Sequence, residues 1–490
     1  TGRLVCLDTR TNEIKWQQDD LVGELGTDKQ GIFTLFVDRD NDIWMYSPLG
    51  IWVYNPEQEK WLSWLTNIIK RRSHNMVRAV SQDKQGRIWI GTDQDGIDIL
   101  DKKTGEVRQL RNKTGDERSL QNNTVMVLYE DSSETMWVGT YKKGISYFNE
   151  CAFKFGAEYI GDISCIEEDK EGYVWLGTND VGIIYWNSVT GNRAAFPQKG
   201  MDKLTTDAIV CILKAGDGKL WIGTFGGGLI CYDNGRIIHY KKNIPERQNS
   251  LAHNNVLALA EDKQGIIWIG TLGGGVQSLN PKTGLFTTYN TTSAGLISDY
   301  VSSLCMGKEG SLWIGTAQGL SELDIETKKV VNLEGTKSGK EYFSDQNISQ
   351  VYEDSRGLIW IGTCEGLNVY NPKTDELIIL GVEQGVSSPI ISGIVEDGNE
   401  NIWVTTARGI TNVIPAVDLK TGRYIFHSCV YDDKDGLQNS GFNLRSIKKL
   451  SSGEILMGGL YGINRFRPDD IKYNKKRPSV MFTRLFWFNE

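Results

Sequence analysis

Glu261-Asp262-Lys263-Gln264-Gly265-Ile266-Ile267-Trp268-Ile269-Gly270-Thr271-Leu272-Gly273-Gly274-Gly275 decides how this chain is read, because it recurs. Clear copies run over Gln82–Gly96, Glu168–Gly182 and Glu353–Gly366. The anchor Trp returns at 44, 89, 137, 175, 221, 268, 313, 360 and 403, and a tenth copy, Gly453–Gly462, has Leu456 in its place. Neighbouring anchors are 38 to 53 residues apart. Around Trp268 lie four short runs of alternating or apolar residues: Val256–Ala260, Ile266–Thr271, Val276–Leu279 and Leu285–Tyr289. Turn residues separate them, and no helical period of comparable length intervenes. Four strands in roughly 45 residues is the pattern of a β-propeller blade. A leucine-rich repeat is shorter, and tetratricopeptide or ankyrin repeats are helical.

The most repeated residues have scaffold roles. Asp stands six places before the anchor at 38, 83, 131, 169, 262, 354 and 397, where a short carboxylate can accept N–H groups of the following turn. The Gly three before the anchor suits a positive φ. The Trp fills the gap between blades, and Gly-Thr lets its strand pass close to a neighbour. Asp38-Arg39-Asp40-Asn41-Asp42 resembles a calcium loop, yet it holds the ordinary turn place and lacks the later Glu. No metal and no cofactor is expected.

Ten anchors exceed the usual four to eight blades of one propeller. The short step from Trp137 to Trp175 marks a break, and seven anchor positions follow it. The expected fold is all-β: one complete seven-bladed propeller plus part of a second, with the start of another β domain. Residues 1–150 read as the C-terminal blades of a first, incomplete propeller, with Gly2–Trp16 as the last two strands of a blade. Residues 151–468 read as the seven-bladed propeller, and 469–490 as a linker and first strand of that further β domain. Phe153–Glu158 is expected to close the ring by pairing with the final blade.

Composition agrees. The 490 residues include 54 Gly, only 10 Pro, and 15 Trp, 15 Phe and 19 Tyr, too aromatic for a disordered chain. A net charge of −8 argues against a nucleic-acid binder, which needs a basic face. No run of 18 apolar residues is present to span a membrane. The chain opens on Thr-Gly-Arg, so a signal peptide is either absent or outside this segment. Eight Cys form no CxxC pair, and Cys165 and Cys211, in apolar strand-like runs, read as small buried thiols. Four His (74, 239, 253 and 427) fall in no triad or metal-ligand spacing, so no catalytic residue is assigned.

The repeat resembles that of the periplasmic sensor regions of Bacteroides-type hybrid two-component systems, over essentially the whole chain. The stretch Asp435-Gly436-Leu437-Gln438-Asn439-Ser440-Gly441-Phe442-Asn443, then Gly453-Glu454-Ile455, Gly458-Gly459 and Gly462-Ile463-Asn464-Arg465-Phe466, resembles the last blade before that family's Ig-like Y_Y_Y domain. The resemblance implies two seven-bladed propellers, the start of an Ig-like β-sandwich at 469–490, a transmembrane helix beyond that Ig-like domain, and a cytoplasmic histidine kinase absent from this segment. It implies sensing of oligosaccharides from polysaccharide breakdown, regulation of glycan-utilisation genes, and a place at the periplasmic face of the inner membrane. Homodimerisation through the full-length receptor is expected, with membrane contact only through the missing C-terminal part. A propeller lyase or glycosidase, or a protein-interaction platform, is the alternative.

Ligand residues are sought on the face carrying the loops after Gly-Thr and between blades. Lys70-Arg71-Arg72-Ser73-His74-Asn75 is the most basic loop, following a strand with Trp61 and Trp64; Tyr141-Lys142-Lys143 lies in a same-face loop two blades on. Aromatics stack on sugars, and Arg forks bind carboxylate or sulfate. Trp61, Trp64, Arg71, Arg72, His74, Tyr141, Lys142 and Lys143 are therefore the candidates for an oligosaccharide, including an anionic one; a solvated basic loop, with both tryptophans covering the blade edge, is the alternative.

Overall fold

A computed structural model describes residues 4–18, 32–47, 50–72 (70–72 as backbone only), 76–114, 119–149, 154–187, 190–196, 204, 208–242, 250–438 and 441–472. One compact unit spans Phe153–Lys472. It contains seven antiparallel four-stranded sheets. Six use consecutive strands, such as Val256–Glu261, Ile267–Thr271, Val276–Asn280 and Leu285–Tyr289. The seventh joins Phe442–Lys449, Ile455–Gly459 and Gly462–Phe466 to Gly156–Tyr159, from the far end of the unit, with Gly156 opposite Arg465 and Tyr159 opposite Gly462. First strands of successive sheets pack side by side, and Phe442–Lys449 packs beside Ile163–Glu168, which closes the ring. The anticipated pairing of the Phe153–Glu158 segment with the final blade is present, although Phe153 lies outside the described residues.

The other unit repeats the same blade. Two sheets have four strands (Thr34–Val37 to Lys60–Trp61, and Val77–Gln82 to Val107–Leu110), one has three (Val125–Glu130 to Ile145–Phe148), and Leu4–Leu7 pairs with Ile14–Gln18. The fold is thus all-β, a seven-bladed propeller with part of a second. One expectation fails. Ser63–Arg72 is an α-helix, where Lys70–Asn75 was expected to be a loop after a strand bearing both Trp61 and Trp64. Leu65 and Ile69 share one helical face and are buried among Trp44, Tyr46, Val77 and Ile88, so burial of that stripe holds the helix. Pro468–Asp470 is a short 3-10 turn; residues 473–490, the expected Ig-like strand, lie outside the described residues, as do 1–3.

Each blade shows why its motif recurs. In the Trp360 blade, the buried Asp354 accepts from the amides of Arg356 and Leu358 at 2.9 Å through one oxygen, and from Trp360 Nε1 at 2.9 Å through the other. The same Asp-to-indole bond holds Trp44, Trp89, Trp137, Trp175, Trp268 and Trp403. The residue three before the anchor has positive φ in all ten copies, including Asn41, Glu134 and Glu400 where Gly is absent. At Gly362 an added Cβ would come within 2.7 Å of Ile391 in the next blade. Thr363 then donates to Gly366 O at 2.9 Å and closes the following turn.

Two further bond series tie blade to blade. The Glu or Gln just before the box Asp accepts an amide from the preceding blade's turn: Gln82 from Arg39, Glu130 from Lys84, Glu261 from Gly216, Glu353 from Lys308 and Glu396 from Ser355. Glu168 takes the amide of Ser451 at 2.6 Å, so this series also crosses the closing seam. Hydroxyls near the start of the first strands donate to the next blade: Ser164 to Ile209 O, Ser302 to Ile348 O, Ser349 to Ile391 O and Ser446 to Ile163 O. At the seam, Trp186 is fully buried against Leu456 and Ile463, and fills space where the last blade carries Leu in place of Trp.

Candidate functional site

The sequence candidates all fall in the N-terminal unit, and the structure separates them. Trp61 lies opposite Tyr54 across a strand pair, with ring centroids 5.1 Å apart, and packs on the cluster of Ile43, Met45 and Trp52. It is a packing residue. Trp64 sits on the helix and is 49% exposed, so part of its indole is open to solvent. Arg71 and Arg72 end the helix; their side chains, and His74 as a whole, lie outside the described residues. Tyr141, Lys142 and Lys143 form the bend between Met136–Thr140 and Ile145–Phe148. Lys142 takes φ +57° and brings its ammonium 5.0 Å from the centre of the exposed Tyr141 ring. Among the described residues no hydrogen bond, ion pair or ring contact joins this bend to the helix.

The acidic turn is occupied by the protein itself. Carboxylates of Asp38, Asp40 and Asp42 converge within 4.8 Å, and Lys102 of the next blade places its ammonium 2.6, 2.7 and 2.7 Å from them. Burial works against the Lys102 charge, but the three carboxylates outweigh it and its pKa lies above the ordinary lysine value. The same ammonium holds the Asp40 carboxyl below its usual value. A tethered cation stands where a calcium ion would sit.

The seven-bladed unit carries a candidate surface that the sequence reading missed. Phe225, Tyr300, Tyr342 and Tyr461 are all exposed. They occupy loops after Gly-Thr or between blades, and so share one face by topology. Each lies among turn residues, Tyr342 beside the buried Phe343, so no periodicity marks them. The Tyr300 ring lies against the Gly273 turn. Such faces suit sugar stacking. His253 does turn work, accepting from Asn255 N at 3.1 Å. Burial pushes the Cys231 thiol up to about 12, far from a nucleophile's range.

Residues 72–94, 119–142, 160–180, 203–226, 250–273, 295–318 and 342–365 each match the family described as the two component regulator propeller. These are two component regulator propeller repeats. Every matched repeat from 160 onward lies in the seven-bladed unit, and the two before it fall in the N-terminal unit. The chain is also 25% identical over 285 residues to Histidine kinase P4 of Formosa agariphila, covering 57% of this chain and 20% of that protein. In fold it is similar to the extracellular domain assigned to the hybrid two component system BT3049 of B. thetaiotaomicron, with a TM-score of 0.70 at 24% identity, over 89% of this chain and 56% of that one. The extracellular domain assigned to BT4673 of the same organism gives a TM-score of 0.52 at 19% identity, over 89% and 59%. The chain with its propeller repeats thus spans about a fifth of the kinase and little more than half of each solved domain.

Proposed function

We propose that this chain is the ligand-sensing part of a membrane hybrid two-component sensor, facing the periplasm. It binds an oligosaccharide released by polysaccharide breakdown and does not turn it over. The full-length receptor works as a homodimer, and binding biases its arrangement so that a cytoplasmic histidine kinase responds. The seven matched propeller repeats carry this reading. The closed seven-bladed ring supports it, because binding residues concentrate on loops carried by such a scaffold. Among the described residues no helix is long and apolar enough to cross a membrane. A ligand shifts the receptor only by its preference for one state.

The test is a panel of defined oligosaccharides, read by thermal shift and by mass spectrometry of the mixture. Saturable stabilisation with the glycan recovered intact is expected. New products would make the chain an enzyme, and glycan silence with stoichiometric protein capture would make it a platform. Joint replacement of Trp64, Arg71 and Arg72 is expected to weaken binding at least tenfold if the helix is the site. Unchanged binding would move recognition to the Phe225, Tyr300, Tyr342 and Tyr461 face.

A further inference from the structure

Arg445 lies in the first strand of the closing blade, Phe442–Lys449, inside its irregular stretch between the pairs Phe442–Gly459 and Ile447–Met457. Its backbone takes φ +60°. That region is unfavourable for a side-chain-bearing residue outside Asn and Asp, and such strain concentrates at functional positions. The guanidinium donates through Nη1 to the backbone carbonyl of Ser302. Ser302 belongs to the Trp313 blade, three blades away, which is the greatest separation possible in a ring of seven. A side chain anchored on one first strand and bonded to another at that separation crosses the central channel.

The charge there is uncompensated. Among the described residues no carboxylate forms an ion pair with Arg445, and Ser302 O is its one hydrogen-bond partner. Nearby Lys448 and Arg465 are already matched, to Glu167 and to Glu158 and Glu454. The thiols of Cys165 and Cys211 face the guanidinium, but burial pushes Cys211 up to about 12 and Cys165 higher than an ordinary thiol, so both are neutral. Enclosure draws the Arg445 pKa below the ordinary arginine value. A guanidinium has five donors in a planar fork, and removing it from water without a counter-charge is costly. Arg445 nonetheless keeps a partly exposed surface.

We propose that the central channel of the seven-bladed unit is an oxyanion site, in which the Arg445 fork takes a carboxylate. The ligand class is a small carboxylate or the uronate end of a larger molecule. This site is independent of the oligosaccharide reading above, and it lies in a different unit from the helix and the Tyr141 bend. The side chain reaches across the channel, the Ser302 carbonyl holds one arm, and the remaining N–H groups match the two oxygens of a carboxylate.

The experiment is isothermal titration of the full chain at constant ionic strength with sodium glucuronate, sodium acetate and glucose. Saturable glucuronate binding is expected, with none for glucose. Acetate binding comparable to glucuronate identifies a site that reads the carboxylate alone; glucuronate binding without acetate binding identifies one that also reads the sugar. Arg445→Met is expected to abolish the signal. Arg445→Lys keeps a charge in the channel without the fork, and is expected to weaken binding at least tenfold. Circular dichroism melting of each variant establishes that it is folded. The proposal is overturned if the wild-type chain shows no saturable carboxylate binding, or if folded Arg445→Lys or Arg445→Met binds as wild type does. Loss of oligosaccharide sensing with channel binding intact would sink the earlier reading and leave this one standing.

Discussion

Trp221 and Trp313 show what the box aspartate does by lacking one. Position 215 is Ala, and Trp221 Nε1 is buried with no partner among the described residues; position 307 is Gly, and Glu353 of the next blade supplies the acceptor at 3.2 Å. The position six before Leu456 is Leu450, so the loss of the indole and of its acceptor go together. The spacing of Asp to Trp was visible in the sequence, but the bond across it was not, because spacing alone does not place an indole edge. Lys102 was not legible either: nothing local links it to an acidic turn some sixty residues earlier. Lys102→Met leaves three converging carboxylates without a counter-charge, and should cost the N-terminal unit about 3 kcal/mol at pH 7. The Asp40 pKa is lowered on folding, so its contribution is present above the unfolded value of about 3.9 and fades as pH falls through the folded one. Urea unfolding of the variant should therefore show a deficit at pH 7 that shrinks near pH 3. An equal deficit at both pH values would contradict the assignment.

At the scale of the element, strands were readable and the helix was not. Strands repeat ten times with the same turn chemistry, so each copy supports the others. Ser63–Arg72 occurs once among the described residues, and its stripe of Leu65, Ile68 and Ile69 is short and flanked by two tryptophans that suggest a strand edge. Its burial depends on blades on both sides, which a local window does not contain. The candidate face was legible only as a set of loops placed together by topology, while the exposed aromatics of the seven-bladed unit had no pattern to announce them. The turn before each anchor permits a clean test. Gly357 has φ +83° and open space where a Cβ would go. Gly357→Ala should then cost about 1 kcal/mol from backbone conformation alone. Gly362→Ala, whose Cβ would meet Ile391, should cost more. Equal melting points for the two variants would show that crowding between blades is not what fixes glycine at 362.

For the whole molecule, closure rests on several devices at one seam. Gly156–Tyr159 supplies the fourth strand, Glu158 pairs with Arg465, Lys154 pairs with Asp435, and Glu168 caps the Ser451 turn. Arg193 and Arg465 both lie over the Trp186 ring, 5.6 and 5.3 Å from its centroid. A chain beginning at Ile160 keeps seven blades but loses the strand and both ion pairs. Its thermal midpoint should fall by several degrees, and limited proteolysis should cut first within Phe442–Lys449 or Gly462–Phe466. A truncated chain as resistant as the parent would show that the side-by-side packing of first strands suffices.

The same seam sets an order of events during synthesis. Gly156–Tyr159 leaves the ribosome some three hundred residues ahead of Gly462–Phe466, its partner. Blades in between can dock one after another, and Glu261, Glu353 and Glu396 each clamp their blade to the one before it. The earliest strand must wait until the end of the unit appears. During that wait Gly462–Phe466 does not yet exist and the early strand has an unpaired edge, which other chains could occupy. Long-range closure of this kind is slow. A nascent ring is therefore most vulnerable just before its final hairpin emerges.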